Sequence, residues 1–527
     1  MRRAAACAAA LCLALTGCAQ TPPVPAETPA GSLSPVFTDA SRLTPYEPPE
    51  RVWEYWDGTP RDHLIPDGGY GTLIPFRGGV LADRNSSWSA TDLYGLATLD
   101  GKIVVDPVYT IADQLELRDG NGATGERLPF LLLSTEEGED GSLSALAAPD
   151  GSWCTEARYY AGGELLRTQP DATRLYLIRD DGWLVLLDDR GEVREVADLS
   201  GLLTGPMDRY DVLSSVQTMG DGLFFSRSVT DAEGVYQQQN WRVAPDGGLS
   251  RVPAPANVNV MRRWSEGLIE AFSIDAGLWG YLDETGAWAV EPAYEGVDDF
   301  HNGWAAVSGG QVGRGFIDRT GRPAPIRFDA GARISWSGEG WQVMGEDETL
   351  LALLDKDLRP VEDCPLEGRE LQGNLTGGIV AGVVGEEYVM FRAGEIDRFP
   401  AEYGQLDQCR NDLALLRHRA ERADGSDRHT LVHLDGSAPP LVLEEGTDWA
   451  YLEIDLVTGE PYLRCDVEGK GSVLRSVDGR TIGARAGVWG WSTLVGGNVL
   501  TEEGGCTTLK KPDGTVLLRW VYDVGAD

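Results

Sequence analysis

The residues that could do chemistry are thinly spread along this 527-residue chain. Histidine stands at 63, 301, 418, 429 and 433. His429 and His433 fall four apart, and LVHLDG around them reads as strand into turn. On a strand both would share a face but lie about 13 Å apart, too far to share a metal ion. Carboxylate-rich loops could hold a hard cation. The densest are Asp119-Gly120-Asn121-Gly122, running on to Glu126, and Asp424-Gly425-Ser426-Asp427. Both lack the EF-hand spacing and read as solvated turns. Past the N-terminal segment the cysteines are 154, 364, 409, 465 and 506. Their number is odd and no C-x-x-C occurs, which leaves buried thiols, or one or two disulfides, and no zinc ribbon. The patterns G-x-S-x-G, H-E-x-x-H, S-x-x-K and the P-loop are all missing. The 83 acidic residues offer many carboxylate pairs for glycoside hydrolysis, but their separation is not legible in a sequence. No catalytic residue, metal ligand or cofactor motif emerges, and the ligand-binding residues stay unassigned.

Composition narrows the partners. The 45 basic and 83 acidic residues give a net charge of −38. A surface this acidic repels phosphate backbones and anionic headgroups, so nucleic acid is not an expected partner. Glycine is abundant, 66 residues, against a usual share of roughly 7%. With 16 Trp and 17 Tyr, that favours tight turns between aromatic-rich strands over a helical bundle.

The first residues, MRRAAACAAALCLALTGC, carry an address. Arg2 and Arg3 precede an apolar run from Ala4 to Leu15, too short to span a bilayer. Leu15-Thr16-Gly17-Cys18 resembles the bacterial lipoprotein lipobox. The resemblance implies cleavage between Gly17 and Cys18 and acylation of the Cys18 sulfur. It places the chain on a membrane, facing the outside or the periplasm. Several acyl chains on one residue anchor firmly, each buried CH₂ adding about 0.8 kcal/mol. Residues 18–50, rich in proline, read as an extended tether.

From residue 51 one phrase recurs: an apolar run after Gly, a strand ending in Asp, a Gly turn, a third strand with Pro and Tyr, a fourth strand. The clearest copy runs LWGYLDETG from Leu278, then AWAVEPAYEGVDDF to Phe300 and HNGWAAV to Val307. Others are Tyr94–Gly101 with KIVVDPVY to Tyr109, and Gly315–Gly321 with RPAPIRFDAG. The turn alone recurs at Asp150-Gly151, Asp189–Gly191, Asp246-Gly247, Asp435-Gly436, Asp478-Gly479 and Asp513-Gly514. Units near Leu350–Asp355 and Tyr388–Arg392 read as strands that have lost it. About eleven units at 35–55 residue spacing fit a repeat array. Asp-Gly between short apolar runs is a hairpin signal. A lone four-stranded meander exposes both faces, and stacking many buries them.

These residues resemble the WG-containing repeat. They are Trp279, Gly280, Asp283, Gly286, Pro292, Tyr294, Phe300 and Gly303, then Asp318 and Gly321, with Asp100, Gly101, Pro107 and Tyr109 in the earlier copy. The match is good at 94–109 and 279–307, fair at 315–343 and faint elsewhere; Trp489-Gly490 is out of register. The resemblance implies an all-β propeller of about eleven four-stranded meanders and no enzymatic activity. Two rings are the expectation, 51–265 and 266–527, with one large or irregular ring as the alternative. In such a fold Trp183, Trp279, Trp288, Trp304 and Trp341 pack between blades. Trp53, Trp56 and Trp88, in the irregular N-terminal part, could stack on a sugar. The functional expectation is a lipid-anchored binding protein for a protein, peptide or glycan. The alternative is an enzyme acting on envelope or dietary glycans through two convergent carboxylates.

Overall fold

Short apolar runs with both neighbours buried, such as Trp183–Asp188 and Leu413–His418, build antiparallel hairpins along nearly the whole chain. The computed structural model describes residues 51–522 apart from 54–64, 67, 83–89, 120–121, 139–140, 161–172, 204–205, 231–235, 311, 339, 373–378, 393–394, 411, 419–426, 445, 456, 469–470 and 485–490. The proposed cleavage and lipidation residues Gly17 and Cys18, the tether, Trp56, Trp88, His63 and Trp489-Gly490 lie outside the described residues. Among the described residues two short helical segments interrupt the strands, a helix Pro206–Ser215 and a turn Ala401–Tyr403. No helix among the described residues is long and apolar enough to cross a membrane.

The described strands form ten sheets, and neighbouring strands are consecutive in the chain except where Arg51–Trp53 pairs with Val516–Tyr522. One seven-stranded sheet contains two blades, 111–160 and 174–198, joined where the two-residue strand Tyr159–Tyr160 pairs with Arg174–Arg179. That makes eleven blades: 73–109, 111–160, 174–198, 217–251, 258–294, 296–328, 333–355, 380–400, 405–442, 447–484 and 491–522, numbered 1 to 11 below.

The cores lie between blades. Period-two alternation sends Leu131 and Leu133 of blade 2 against blade 1, and Phe130 and Leu132 against blade 3. Each following pair of blades shares such a cluster, ending with blades 10 and 11. The circuit then returns: Ile74, Phe76 and Ala97 of blade 1 pack on Leu500, Leu509, Leu518 and Trp520 of blade 11. The apolar packing therefore follows one circuit, the alternative to two rings. The boundary expected at 265/266 falls inside blade 5, where Val258–Ser265 pairs with Leu268–Ser273. Glu266 and Gly267 make the tight turn between them, both at positive φ.

Hydrogen bonds fasten the seam between blades 11 and 1. Arg51–Trp53 runs parallel to Val516–Tyr522 as a fifth strand of blade 11. The Trp520 indole N–H donates to the Gly78 carbonyl at 2.8 Å, and the Thr507 hydroxyl donates to the Arg77 carbonyl.

The recurring turn is one structure with two side-chain solutions. The glycine N–H donates to the carbonyl three residues back, and the glycine sits at positive φ, as at Gly101 and Gly286. In blades 5 and 6 the first turn residue caps it: Asp283 accepts the Thr285 and Ala287 N–H groups, and Asp318 those of Thr320 and Arg322. In blade 1, Thr98 holds that place and Asp100 stands two later. The turn after Leu350–Asp355 is not lost. Asp355 caps Asp357 and Arg359 at 2.8 Å each, and Leu358 takes the glycine place at φ +62. The turn after Tyr388–Arg392 falls at 393–394, outside the described residues.

Candidate binding site

The WG-type residues hold blades together. Gly280 lets two strands touch: a Cβ there would lie 2.5 Å from the Val290 carbonyl oxygen. Trp279 faces Tyr294 across the hairpin, contacts Phe272, and carries the Arg262 guanidinium 4.2 Å above its ring. Tyr281 donates to the Asp298 carbonyl at 2.7 Å, and its ring meets Phe300 edge-on. Pro107 and Tyr109 are buried in blade 1, and Pro292 is half-buried in blade 5. The Gly303 N–H donates to Glu266 Oε2 at 2.8 Å. Trp341 is buried, and Trp183, Trp288 and Trp304 are half-buried against blade cores. Trp53 lies in the parallel strand of the seam. The exposed tryptophan among the described residues is instead Trp449, beside Arg417.

The other early candidates do not converge. All five described cysteines are free thiols. His429 and His433 lie on one strand, Arg428–His433, with His433 bonded to Ser437 and Val477. Among the described residues no group of three His, Cys, Asp or Glu side chains could hold a metal ion. Asp119 and Gly122 close the hairpin between the first two strands of blade 2, and 120–121 and 424–426 lie outside the described residues.

What the fold does bring together is a cavity of about 730 Å³ at the seam. Its walls come from the first two strands of blades 1, 2, 10 and 11, with Arg410 reaching in from blade 9. The volume is in the usual range for small-ligand sites, roughly 300–1,000 Å³. The apolar wall is Leu73, Ile74, Leu494 and Leu500. The polar wall carries arginines 77, 127 and 410, aspartates 92 and 113, and glutamates 116, 453 and 502.

Most of these charges are held in place. Arg77 is ion-paired with Asp92. Glu453 accepts from Arg464 at 2.7 Å and from the Tyr462 hydroxyl, which also meets Thr493 at 2.8 Å. Burial and the nearby Asp92 and Glu502 charges push the Tyr94 phenol up to about 12, so it stays a neutral donor. Asp113 is open to the cavity, and desolvation by the walls raises its carboxyl pKa. Desolvation lowers the Arg127 pKa, although Asp455 opposes that shift. The Asp455 oxygens are themselves taken by the N–H groups of Val457, Thr458, Gly496 and Gly497 at 2.7–3.3 Å.

No single motif marks this site. Its residues come from five blades spread from Leu73 to Glu502. They meet because the last blade packs on the first, a fact no local pattern encodes.

Comparison with known proteins gives one family match and several remote structural likenesses. Residues 279–308 match the family described as WG containing repeat. No curated protein matches the chain. Among solved structures it is similar to PorZ, described as an essential bacterial surface component of the type-IX secretion system of Porphyromonas gingivalis. That match has 10% identity and a TM-score of 0.26, covering 78% of this chain and 60% of that one. The chain thus spans less than two thirds of PorZ. It is also similar to AztD from Citrobacter koseri, at 12% identity and TM-score 0.21, covering 65% of this chain and 92% of that one. An oligogalacturonate lyase from Vibrio parahaemolyticus is similar at 10% identity and TM-score 0.24, covering 73% and 88%. The protein is an all-β, propeller-like chain that carries a WG-containing repeat at 279–308.

Proposed function

We propose that this is a binding protein, anchored to a membrane through lipidated Cys18 and facing the outside or the periplasm. Its seam cavity receives a peptide, a glycan or part of a protein partner. The observation that carries this reading is the cavity itself, set on paired strands whose cores lock it from both sides. Rigid walls cost little ordering entropy on binding. The net charge of −38 supports a partner other than nucleic acid.

The test is thermal unfolding of the protein against neutral glycans, peptidoglycan fragments and short peptides. A ligand at about 100 times its Kd stabilises by roughly 2.7 kcal/mol. Thr493→Trp, which fills the cavity, abolishes the shift, and Arg410→Glu at the rim weakens it without filling anything. Silence across the panel, or a shift indifferent to both variants, removes the cavity as the site. Radiolabelled fatty acid incorporated by the wild type and lost in Cys18→Ser tests the anchor.

The alternative, glycan hydrolysis, draws support from Asp113, the cavity carboxyl whose pKa is raised. Its neighbours Asp92 and Glu453 are tied to arginines. Product released from a bound glycan, and lost in Asp113→Asn, would establish it.

A further inference from the structure

The cavity charges divide into those with a charged partner among the described residues and those without one, and the latter carry both signs. Asp92 has Arg77, and Glu453 has Arg464. Asp113 and Arg410 form no hydrogen bond or ion pair with any described residue, and both line the cavity. Arg127 donates its Nε to the neutral Gln114 Oε1 at 2.6 Å and forms no ion pair there. Asp455, the carboxylate whose charge bears on it, is already held by four backbone N–H groups. Both pKa shifts, Asp113 upward and Arg127 downward, have desolvation as their leading cause.

Partly desolvated charge without a partner is costly, and a ligand that supplies the partner recovers that cost. A simple anion would meet Asp113 and Glu116 as well as the arginines. A simple cation would meet Arg127 and Arg410. A neutral sugar would leave both signs uncompensated. A ligand with an ammonium at one end and a carboxylate at the other satisfies both sets. Guanidinium groups suit a carboxylate, which they bind in a fork. A tripeptide extends about 10 Å, a length a cavity of about 730 Å³ can hold.

We propose that the seam cavity binds short peptides with free ends, the carboxylate against Arg127 and Arg410 and the ammonium against Asp113. This rests on the cavity being the binding site and names its ligand class.

The experiment is equilibrium dialysis of the full-length protein against a mixed tripeptide library, read by mass spectrometry. The library is used in four forms: free, N-acetylated, C-amidated and capped at both ends. Free peptides are retained at least tenfold over doubly capped ones. Arg410→Gln weakens free and N-acetylated peptides about tenfold and leaves C-amidated ones unchanged. Asp113→Asn weakens free and C-amidated peptides and leaves N-acetylated ones unchanged. Both residues are accessible, and a melting curve for each variant checks the fold.

Equal retention of free and doubly capped peptides, lost in Thr493→Trp, overturns the zwitterion and leaves the cavity reading standing. So does retention of maltotriose in place of any peptide. Retention indifferent to Thr493→Trp overturns both. No retention of any free peptide overturns the proposal.

Discussion

Glu270 lies on the second strand of blade 5 opposite Tyr281, only 4% exposed. Burial, and then repulsion from Asp299, push its carboxyl up to about 8. Arg262 and Arg263 oppose that shift, but Arg262 lies over Trp279 and Arg263 pairs with Asp299 at 3.2 Å. Asp298 adds a further negative charge to the same place. In the unfolded chain a glutamate ionises near its ordinary 4.5. Between about pH 4.5 and 8 the folded state therefore holds a proton the unfolded state has lost, and stability falls as pH rises through that window. Glu270→Gln removes this dependence. Urea unfolding at pH 5, 7 and 8.5 should show the variant gaining on the wild type as pH rises. Parallel curves for the two proteins would show that Glu270 ionises normally. The isolated phrase GLIEAFS gave no hint of this, because a strand with one Glu among apolar residues looks like any half-exposed strand.

The hairpin turn is the element that was most legible in the sequence, and the structure adds a second reason for its glycine. A Cβ at Gly286 would lie 2.2 Å from the carbonyl oxygen of Pro253, just after blade 4, and one at Gly101 would lie 2.1 Å from the Leu517 carbonyl oxygen of blade 11. The turn thus seats against the preceding blade. Gly286→Ala combines that clash with the left-handed penalty of about 1–2 kcal/mol, and should lower stability by at least that much. Leu358 reverses the arithmetic. Its side chain is buried in the core between blades 6 and 7 while its backbone adopts the left-handed conformation. Leu358→Gly relieves about 1–2 kcal/mol of backbone strain but gives up a buried leucine, about 2–5 kcal/mol. Chemical denaturation should show a net loss of roughly 1–3 kcal/mol. A gain would mean the leucine is not packed. The sequence hid this turn because the residue types changed while the geometry did not. The helix Pro206–Ser215 was equally hidden: of its described side chains, Val212 and Leu213 reach the core between blades 3 and 4, and two do not make a periodic stripe.

At the scale of the molecule, local signals carried the number of blades and not their arrangement. The repeat can be counted from Asp-Gly turns, but whether eleven blades close as one circuit or two depends on which blade meets blade 1. That depends on Phe76 against Trp520 and on the strand Arg51–Trp53, contacts that the repeat phrase does not specify. The short parallel strand is the place to test closure. Consecutive N–H groups point in opposite directions, so prolines at both Val52 and Trp53 must remove one ladder hydrogen bond. Hydrogen exchange should then quicken about tenfold or more in Val516–Tyr522 and stay unchanged in blade 5. Uniform quickening would mean the whole circuit opens as one unit.

The same parallel strand sets an order of events. Arg51–Trp53 precedes all eleven blades, yet its partner Val516–Tyr522 is the last strand of the eleventh. Ten blades can collapse on their neighbours as they appear, since each hairpin is local. The eleventh has to find a strand that has waited while the ten blades between were made. Loop-closure entropy grows only slowly with length, about 0.6 kcal/mol per doubling, so the delay is a matter of rate more than of final stability. Pairings this distant in sequence form slowly. Until they form, the edge of Val516–Tyr522 stays unpaired and open to the same strand of a neighbouring copy. Exchange of Arg51–Trp53 between molecules is therefore the misassembly this architecture invites, and dimers would accumulate when refolding is run at high concentration.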